Sequence, residues 1–502
     1  MNGRGATVPD NPLIGVSGRA VVILAVGLGA LTVGAAYVSS VAFLLAGVAL
    51  LALLGLASLR WPRVMLVVLV LSPPLIDLYA GQRLLPETAH SIARFFSEGL
   101  LVMIAFTLAV MAARRGTLIT ALRHPFTLAV AVFLGISVIS AVVNGVPPAV
   151  AVAGLLFTLD AVILFHLPRM VGYSHADLRQ AMWAIAGVVA LTSLLALGQA
   201  VLSPDLLGVT PVIGQSGEGV RLGSLVRDPN ILGTLIGMAL PFTLFSLVRR
   251  PRGRRWWITA GMALVLVLAL LLTYSRGSWL GVAVGFGLVA LIIDRRALLA
   301  GVAVVLLAYA IAVVMPKGIL AGGSLGYDPF ATTVNRFSAV GEGRDLRTLF
   351  IFNALPIVEA HPILGVGPGR YGGAAASIFG SPTHTAYGTD DLLTNQRTVD
   401  NFWLHLGVEG GVLGITAFLA MIGTALLHPI RALRGASGSR FSVPAAVVSA
   451  TAVVCVAAVT TMLLEGNTAA FLFWFVLGIG SLAERSGPRT DDPGAAATAS
   501  AR

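Results

Sequence analysis

The apolar residues of this 502-residue chain fall in runs of about fifteen to twenty-five, each broken by Arg, Gly or Pro. A helix needs roughly 20 apolar residues to cross a hydrocarbon core about 30 Å thick. In that medium only helices and closed barrels satisfy their backbone groups. A barrel strand alternates apolar and polar residues, whereas these runs are continuous. The fold class expected is therefore an all-α polytopic membrane protein. Composition agrees: 57% of residues are hydrophobic and 11% charged, under half of the roughly 25% charge of a soluble domain. A soluble enzyme on one anchor is excluded.

Apolar runs predict a bundle of about fourteen transmembrane helices: Val21–Val38, Val41–Leu59, Val64–Tyr79, Gly99–Ala113, Phe126–Val143, Val150–Leu167, Met182–Leu202, Ile231–Val248, Trp257–Thr273, Trp279–Ile293, Ala297–Met315, Phe402–Leu427, Val443–Leu464 and Ala469–Ala483. Pro73 and Pro74 interrupt the third, and the fourth is short. The chain thus divides into a cytoplasmic tail over 1–20, spans within 21–315, a long, partly helical extracytoplasmic loop over 316–400, spans within 401–485 and a disordered cytoplasmic tail over 486–502. Arg-bearing Met1–Arg19 before an apolar run has the layout of a signal peptide, but a second run begins at Val41 and a helical hairpin is the better reading. No repeat and no matched pair of broken helices is visible.

The net charge of +11 does not indicate nucleic acid, because the basic residues are scattered in short clusters between apolar runs rather than gathered in a domain. Their distribution orients the bundle. With the N-terminus inside, 22 of the 33 Lys and Arg fall on inner connections, among them Arg60, Arg63, Arg114, Arg115, Arg169, the cluster Arg249–Arg255 and Arg431. Five fall on short outer ones, the long loop being discounted. Both termini are expected to be cytoplasmic, in a multi-pass protein of the cytoplasmic membrane. The one cysteine, Cys455, excludes an intramolecular disulfide and a two-Cys metal site.

Unusual chemistry concentrates in the outer connections, Ser203–Asn230 and Pro316–Asp400, loops long enough to carry function. The long loop is expected to fold over the membrane surface as a partial domain. Within it Asp345–Ala360 has helical spacing, ended by His361-Pro362. Arg221 precedes Gly223 and Asp228-Pro229-Asn230; Arg276 lies in a turn between two spans. A guanidinium fork held there suits phosphate oxygens, or caps the preceding helix on its last carbonyls; both readings stand for Arg276. Arg344 and Arg347 open the loop helix, and Gly365–Arg370 is a glycine-rich turn, either a ligand approach or a tight return to the membrane. No Walker pattern and no Gly-x-Ser-x-Gly elbow occurs.

Among acids, Asp400 stands before Asn401 at the entrance to a span, as helix N-cap or as general base. Glu409, inside an apolar span, should face the interior with a partner; Asp160 invites a structural reading. His361, His384, His405, Asp390 and Asp391 lack zinc-ligand spacing, so neither metal nor cofactor is expected.

Four segments in this order resemble the O-antigen ligase and O-antigen polymerase superfamily: Arg221-x-Gly with Asp228-Pro229-Asn230; Thr273–Trp279; Arg347 through His361-Pro362 to Gly369; and Asp400-Asn401 followed by Gly411-x-x-Gly414. The resemblance implies a membrane glycosyltransferase that moves a glycan from a polyprenyl-diphosphate carrier to a sugar hydroxyl of a glycan or glycolipid acceptor, on the outer membrane face, with inversion and without metal. By position, Arg221 and Arg347 would grip the diphosphate, with Arg276 as a third. Arg344, Arg370 and Asn401 stand beside them as substrate-binding candidates. Asp400 occupies the position of the family's usual catalytic histidine. Chemistry agrees, since the leaving diphosphate needs fixed positive charge and the incoming hydroxyl a base. A glycolipid flippase or transporter is the alternative, and a peptidoglycan-type polymerase a third.

Overall fold

The computed structural model describes residues 18–73, 95–202, 212–213, 220–226, 228–248, 252–293, 346–389, 399–435, 441–465 and 467–483. Its first helices are α1 (Gly18–Ala36), α2 (Ser40–Arg60), α3 (Pro62–Ser72), α4 (Phe96–Arg114), α5 (Leu118–Leu122) and α6 (Pro125–Val143). Next, α7 (Pro148–Leu159) runs through a 3-10 turn, Asp160–Phe165, into α8 (Leu167–Val171), followed by α9 (His175–Val201), α10 (Pro229–Val248), α11 (Arg254–Leu272) and α12 (Arg276–Ile293). The last are α13 (Leu346–Ala360), α14 (Ala374–Phe379), α15 (Pro382–Ala386), α16 (Phe402–Gly435), α17 (Ser442–Ala457) and α18 (Asn467–Gly480). Two short strands, β1 (Val212–Ile213) and β2 (Val220–Arg221), pair antiparallel with Val212 opposite Arg221.

Among the described residues, nine helices are long and apolar enough to cross a membrane. The helical membrane bundle read from the apolar runs is therefore present. α3, α17 and α18, at 11, 16 and 14 residues, are shorter than a full crossing needs. The span expected at Ala297–Met315 lies outside the described residues. Local chemistry sets the ends: Ser174 and Asp177 form a capping box for α9, and Pro125 opens α6 behind a cap from the His124 side chain to the Phe126 N–H.

Among the nine, α10 is the most buried, 72% of its apolar stretch, and α2 the least, 17%; the shorter α17 is buried along nearly its whole length. α12 meets α17 through small residues one turn apart. A Cβ added at Gly281 would stand 2.8 Å from the Val453 Cα, and one at Gly285 2.7 Å from the Ser449 carbonyl oxygen. Small residues at this spacing let helix backbones touch where lipid provides no hydrophobic drive between helices.

The connections sort onto two ends. At one end Arg63 pairs with Asp177 at 3.2 Å, Arg169 Nε donates to the Ala121 carbonyl at 3.1 Å, and His124 Nε2 meets His428 Nδ1 at 3.1 Å. These belong to the connections that hold the arginine surplus. At the other end lie the α6–α7 turn, the α11–α12 turn, the described part of the long loop, and the turn between α17 and α18.

Candidate functional site

α16 is broken at Gly411, whose φ of 61° and ψ of −163° are open to glycine. Such a break strips the helix of the bonds that Val408 O and Glu409 O would give to residues four positions on. The liberated groups are taken up by one irregular segment of the long loop. Val366 and Gly367 donate their N–H groups to Val408 O and Glu409 O at 2.9 and 3.0 Å; Val412 and Leu413 donate theirs to Pro362 O and Ile363 O at 2.9 and 3.2 Å. A Cβ at position 411 would stand 2.4 Å from the Ile363 carbonyl oxygen.

The loop segment from His361 to Gly373 is thus wedged into the bundle. On its other side Ser140 Oγ donates to Leu364 O at 2.6 Å and Asn144 Nδ2 to Gly365 O at 3.0 Å. A Cβ on Gly154 of α7 would stand 2.4 Å from the Gly369 amide nitrogen. The glycine-rich turn therefore packs backbone against helix, the return to the membrane rather than an open ligand approach. The expected loop helix is present as α13, and its buried Phe350, Ala354 and Ile357 pack with Val366, Tyr371, Val399 and Val408.

Three ionisable side chains are buried behind this segment. Glu409, expected to have a partner inside the bundle, accepts from Gly369 N at 2.7 Å and Tyr371 N at 2.6 Å. His405, one turn earlier, has its Nδ1 on the Tyr371 carbonyl and 3.7 Å from Glu409 Oε1. Its Nε2 meets Glu465 Oε1 at 2.9 Å, and Glu465 Oε2 accepts from Ala374 N at 2.9 Å. Burial opposes the charge on Glu465, but the attraction and hydrogen bond of His405 and the Ala374 N–H outweigh it and hold the carboxyl below its ordinary range. Burial pushes the Tyr371 phenol above its usual value.

Arg221 sits on β2 and reaches the end of α11. Its Nε donates to Thr273 O at 3.1 Å, and its Nη2 to Asn230 Oδ1 at 2.8 Å and Tyr274 O at 3.5 Å. This joins the Arg-x-Gly, Asp-Pro-Asn and Thr-Tyr-Ser-Arg segments at one place. Two carbonyls at the end of α11 are thus bound by Arg221, and Arg276 opens α12, half-buried. Asp228 Oδ1 caps α10, accepting from Asn230 N at 2.7 Å.

The turn after α17 links the two groups of motifs. A Cβ on Gly277 would lie 2.6 Å from Thr460 Oγ1, and Ala458 O accepts the Phe402 N–H at 2.9 Å. Asp400 is half-buried beside it. Its reading as N-cap is corrected, because Asn401 Oδ1 takes that role on the Leu404 N–H at 3.0 Å. Val399 N, just before Asp400, donates to Gly372 O at 2.9 Å. Arg370 Nη2 reaches Gly145 O at 3.4 Å, and its buried Nε has no hydrogen-bond partner among the described residues.

Arg347 lies in the first turn of α13, its side chain beyond the described residues, as are Arg344, Asp390 and Asp391 altogether. His384 is buried, stacked on Tyr371 with ring centroids 5.0 Å apart and bonded through Nδ1 to Thr389 Oγ1 at 2.7 Å. Asp160 accepts from its neighbour Ala161 N at 2.5 Å, where α7 tightens into the 3-10 turn, consistent with a structural role. Among the described residues no group of three or more His, Cys, Asp and Glu is arranged to hold a metal.

From the sequence His405 reads only as a metal-ligand candidate, and Glu465 carries no reading there. A signal existed: a His and a Glu four apart within an apolar span share one helix face, and another acid closes the next apolar run.

No curated protein matches the chain. Residues 260–419, about a third of it, match the family model described as O-antigen ligase; the resemblance to the O-antigen ligase and polymerase superfamily holds across that range, which includes Arg276, Arg347, Arg370, Asp400 and the Gly411 kink but not Arg221.

Proposed function

We propose that the loop end of the bundle transfers a glycan from a polyprenyl-diphosphate carrier to a sugar hydroxyl, on the outer face of the cytoplasmic membrane. The observation that carries this reading is the gathering of the family's motif segments, from Arg221 and Thr273 to Gly369 and Asp400, around the turn that follows α17, within or next to the matched residues. Arginine supplies what the leaving group needs. As the bond between the anomeric carbon and the diphosphate oxygen breaks, its electron pair passes to that oxygen, and fixed guanidinium groups stabilise the charge. Arg276, Arg347 and Arg370 are assigned to this work, with Arg344 as a further candidate. A buried guanidinium N–H, as at Arg370 Nε, calls for an acceptor. Arg221, held by carbonyls in a fixed orientation, contributes its charge and sets the turn that carries Arg276.

The acceptor hydroxyl attacks the anomeric carbon from the opposite side and gives its proton to Asp400, with Asn401 orienting the start of α16. A single displacement of this kind inverts the anomeric centre and uses no metal or other cofactor. The test is to give the purified protein a polyprenyl-diphosphate oligosaccharide and an acceptor glycan and to measure released polyprenyl diphosphate. Release with a lengthened or newly attached glycan supports the reading. Movement of the carrier across a liposome without release overturns it in favour of a transporter.

A further inference from the structure

The side chains of Glu409, His405 and Glu465 are 7%, 2% and 5% exposed, in a membrane bundle where each charge is costly to bury. An apolar trio would fill the space at lower cost, so what these groups hold is informative. The polar contacts described above for their side chains run to one another or to the loop backbone between Gly369 and Ala374. The two oxygens of Glu409 accept from the residues on either side of Arg370. Glu465 holds Ala374 N, and a Cβ on Gly373 would stand 2.6 Å from Glu465 Oε1 and 2.7 Å from His405 Cε1. Between these grips, Gly372 O accepts from Val399 N and so ties the same segment to the residue before Asp400.

We propose that Glu409, His405 and Glu465 are positioning residues, a buried clasp that sets the Arg370 backbone and, through the Gly372–Val399 bridge, Asp400 for glycan transfer. This rests on the proposed function of the same end of the bundle. None of the three is assigned contact with substrate. The chemistry demands a carboxylate at Glu409: ionised Glu accepts a backbone N–H at each oxygen, whereas Gln accepts at one and turns an N–H toward the other backbone N–H; at Glu465 one oxygen accepts from Ala374 N and the other meets His405 Nε2. His405 meets an acceptor at each ring nitrogen, an arrangement no amide reproduces.

Two measurements on the full chain in nanodiscs test the clasp. Hydrogen exchange is followed at Gly369, Tyr371 and Ala374, with α10 as internal reference, and kcat is measured per carrier-binding site, so that loss of folded protein does not register. In Glu409→Gln and Glu465→Ala, exchange at the amides each side chain holds should rise about tenfold or more with α10 unchanged, since a buried N–H loses its acceptor. At matched carrier stoichiometry kcat should fall about 10- to 100-fold with little change in KM, the scale of a small misplacement of reacting groups. Glu465→Asp keeps the carboxylate, should recover part of the kcat lost in Glu465→Ala, and serves where that variant fails to fold. Unchanged exchange overturns the clasp, and raised exchange with wild-type kcat per site overturns its positioning role. If the unaltered protein releases no polyprenyl diphosphate, the transfer reading fails, and exchange at the three amides then decides whether the clasp holds Arg370.

Discussion

Arg221 donates through Nε to the carbonyl oxygen of Thr273 at 3.1 Å, so an arginine from the loop before α10 closes the C-terminal end of α11. The contact satisfies a carbonyl that the helix end leaves open, and it fixes the guanidinium plane at the point where the chain turns toward Arg276.

Replacing Arg221 with Lys keeps the charge but loses the planar fork that spans Thr273 O and Asn230 Oδ1. Transfer should fall by roughly 30- to 1000-fold, equivalent to about 2 to 4 kcal/mol of transition-state stabilisation. Arg434→Gln, an exposed change at the opposite end, should leave turnover as it is. Polyprenyl diphosphate release at matched membrane expression measures both, and wild-type turnover in the Lys variant counts against the assignment.

Asp400 and its neighbour Asn401 should separate cleanly. Asp400→Asn is expected to abolish transfer while carrier binding survives, and Asp400→His to restore part of it by supplying another base. Asn401→Ala removes the cap on Leu404 N and should cost about 0.5 to 2 kcal/mol of stability. An active Asp400→Asn variant would send the search for a base to His384, Asp390 or Asp391, of which His384 bonds Thr389 through Nδ1 and stacks on the Tyr371 ring.

Gly411→Ala places a methyl group 2.4 Å from Ile363 O on a backbone with φ of 61°. Backbone strain alone contributes about 1 to 3 kcal/mol, before the clash is relieved. The expected result is a lower melting temperature in detergent and early proteolysis between His361 and Gly373. Gly423→Ala, at an exposed helical position in α16 with no neighbour within 4 Å, should be nearly neutral in the same assays.

The two ends of the bundle should lie on opposite sides of the membrane. Reporters fused near Arg252 and Arg434 should read cytoplasmic, and one near Thr383 extracytoplasmic. A cytoplasmic signal at Thr383 would place Asp400 and Arg370 on the wrong face for a translocated carrier-linked glycan.

Apolar run length by itself determined the helical membrane fold, because a span needs nothing beyond its own residues to satisfy its backbone. Arginine spacing likewise indicated which connections share an end, since charge placement reads out along the chain. α13 and its stop at His361-Pro362 were legible for the same local reason, from helical periodicity and the restraint before proline. Tertiary structure alone decided what the long loop does after that point. Whether His361–Gly373 lies on a surface or enters the bundle depends on the Gly411 break, and on where the groups it liberates find partners some 45 residues away in sequence. The cap on α16 shifted by one residue, from Asp400 to Asn401, because cap geometry depends on where the first helical turn begins. The His405–Glu465 pair joins residues 60 apart, and no spacing rule anticipates it: a buried charge chooses its partner by proximity in the packed state, not by order in the chain.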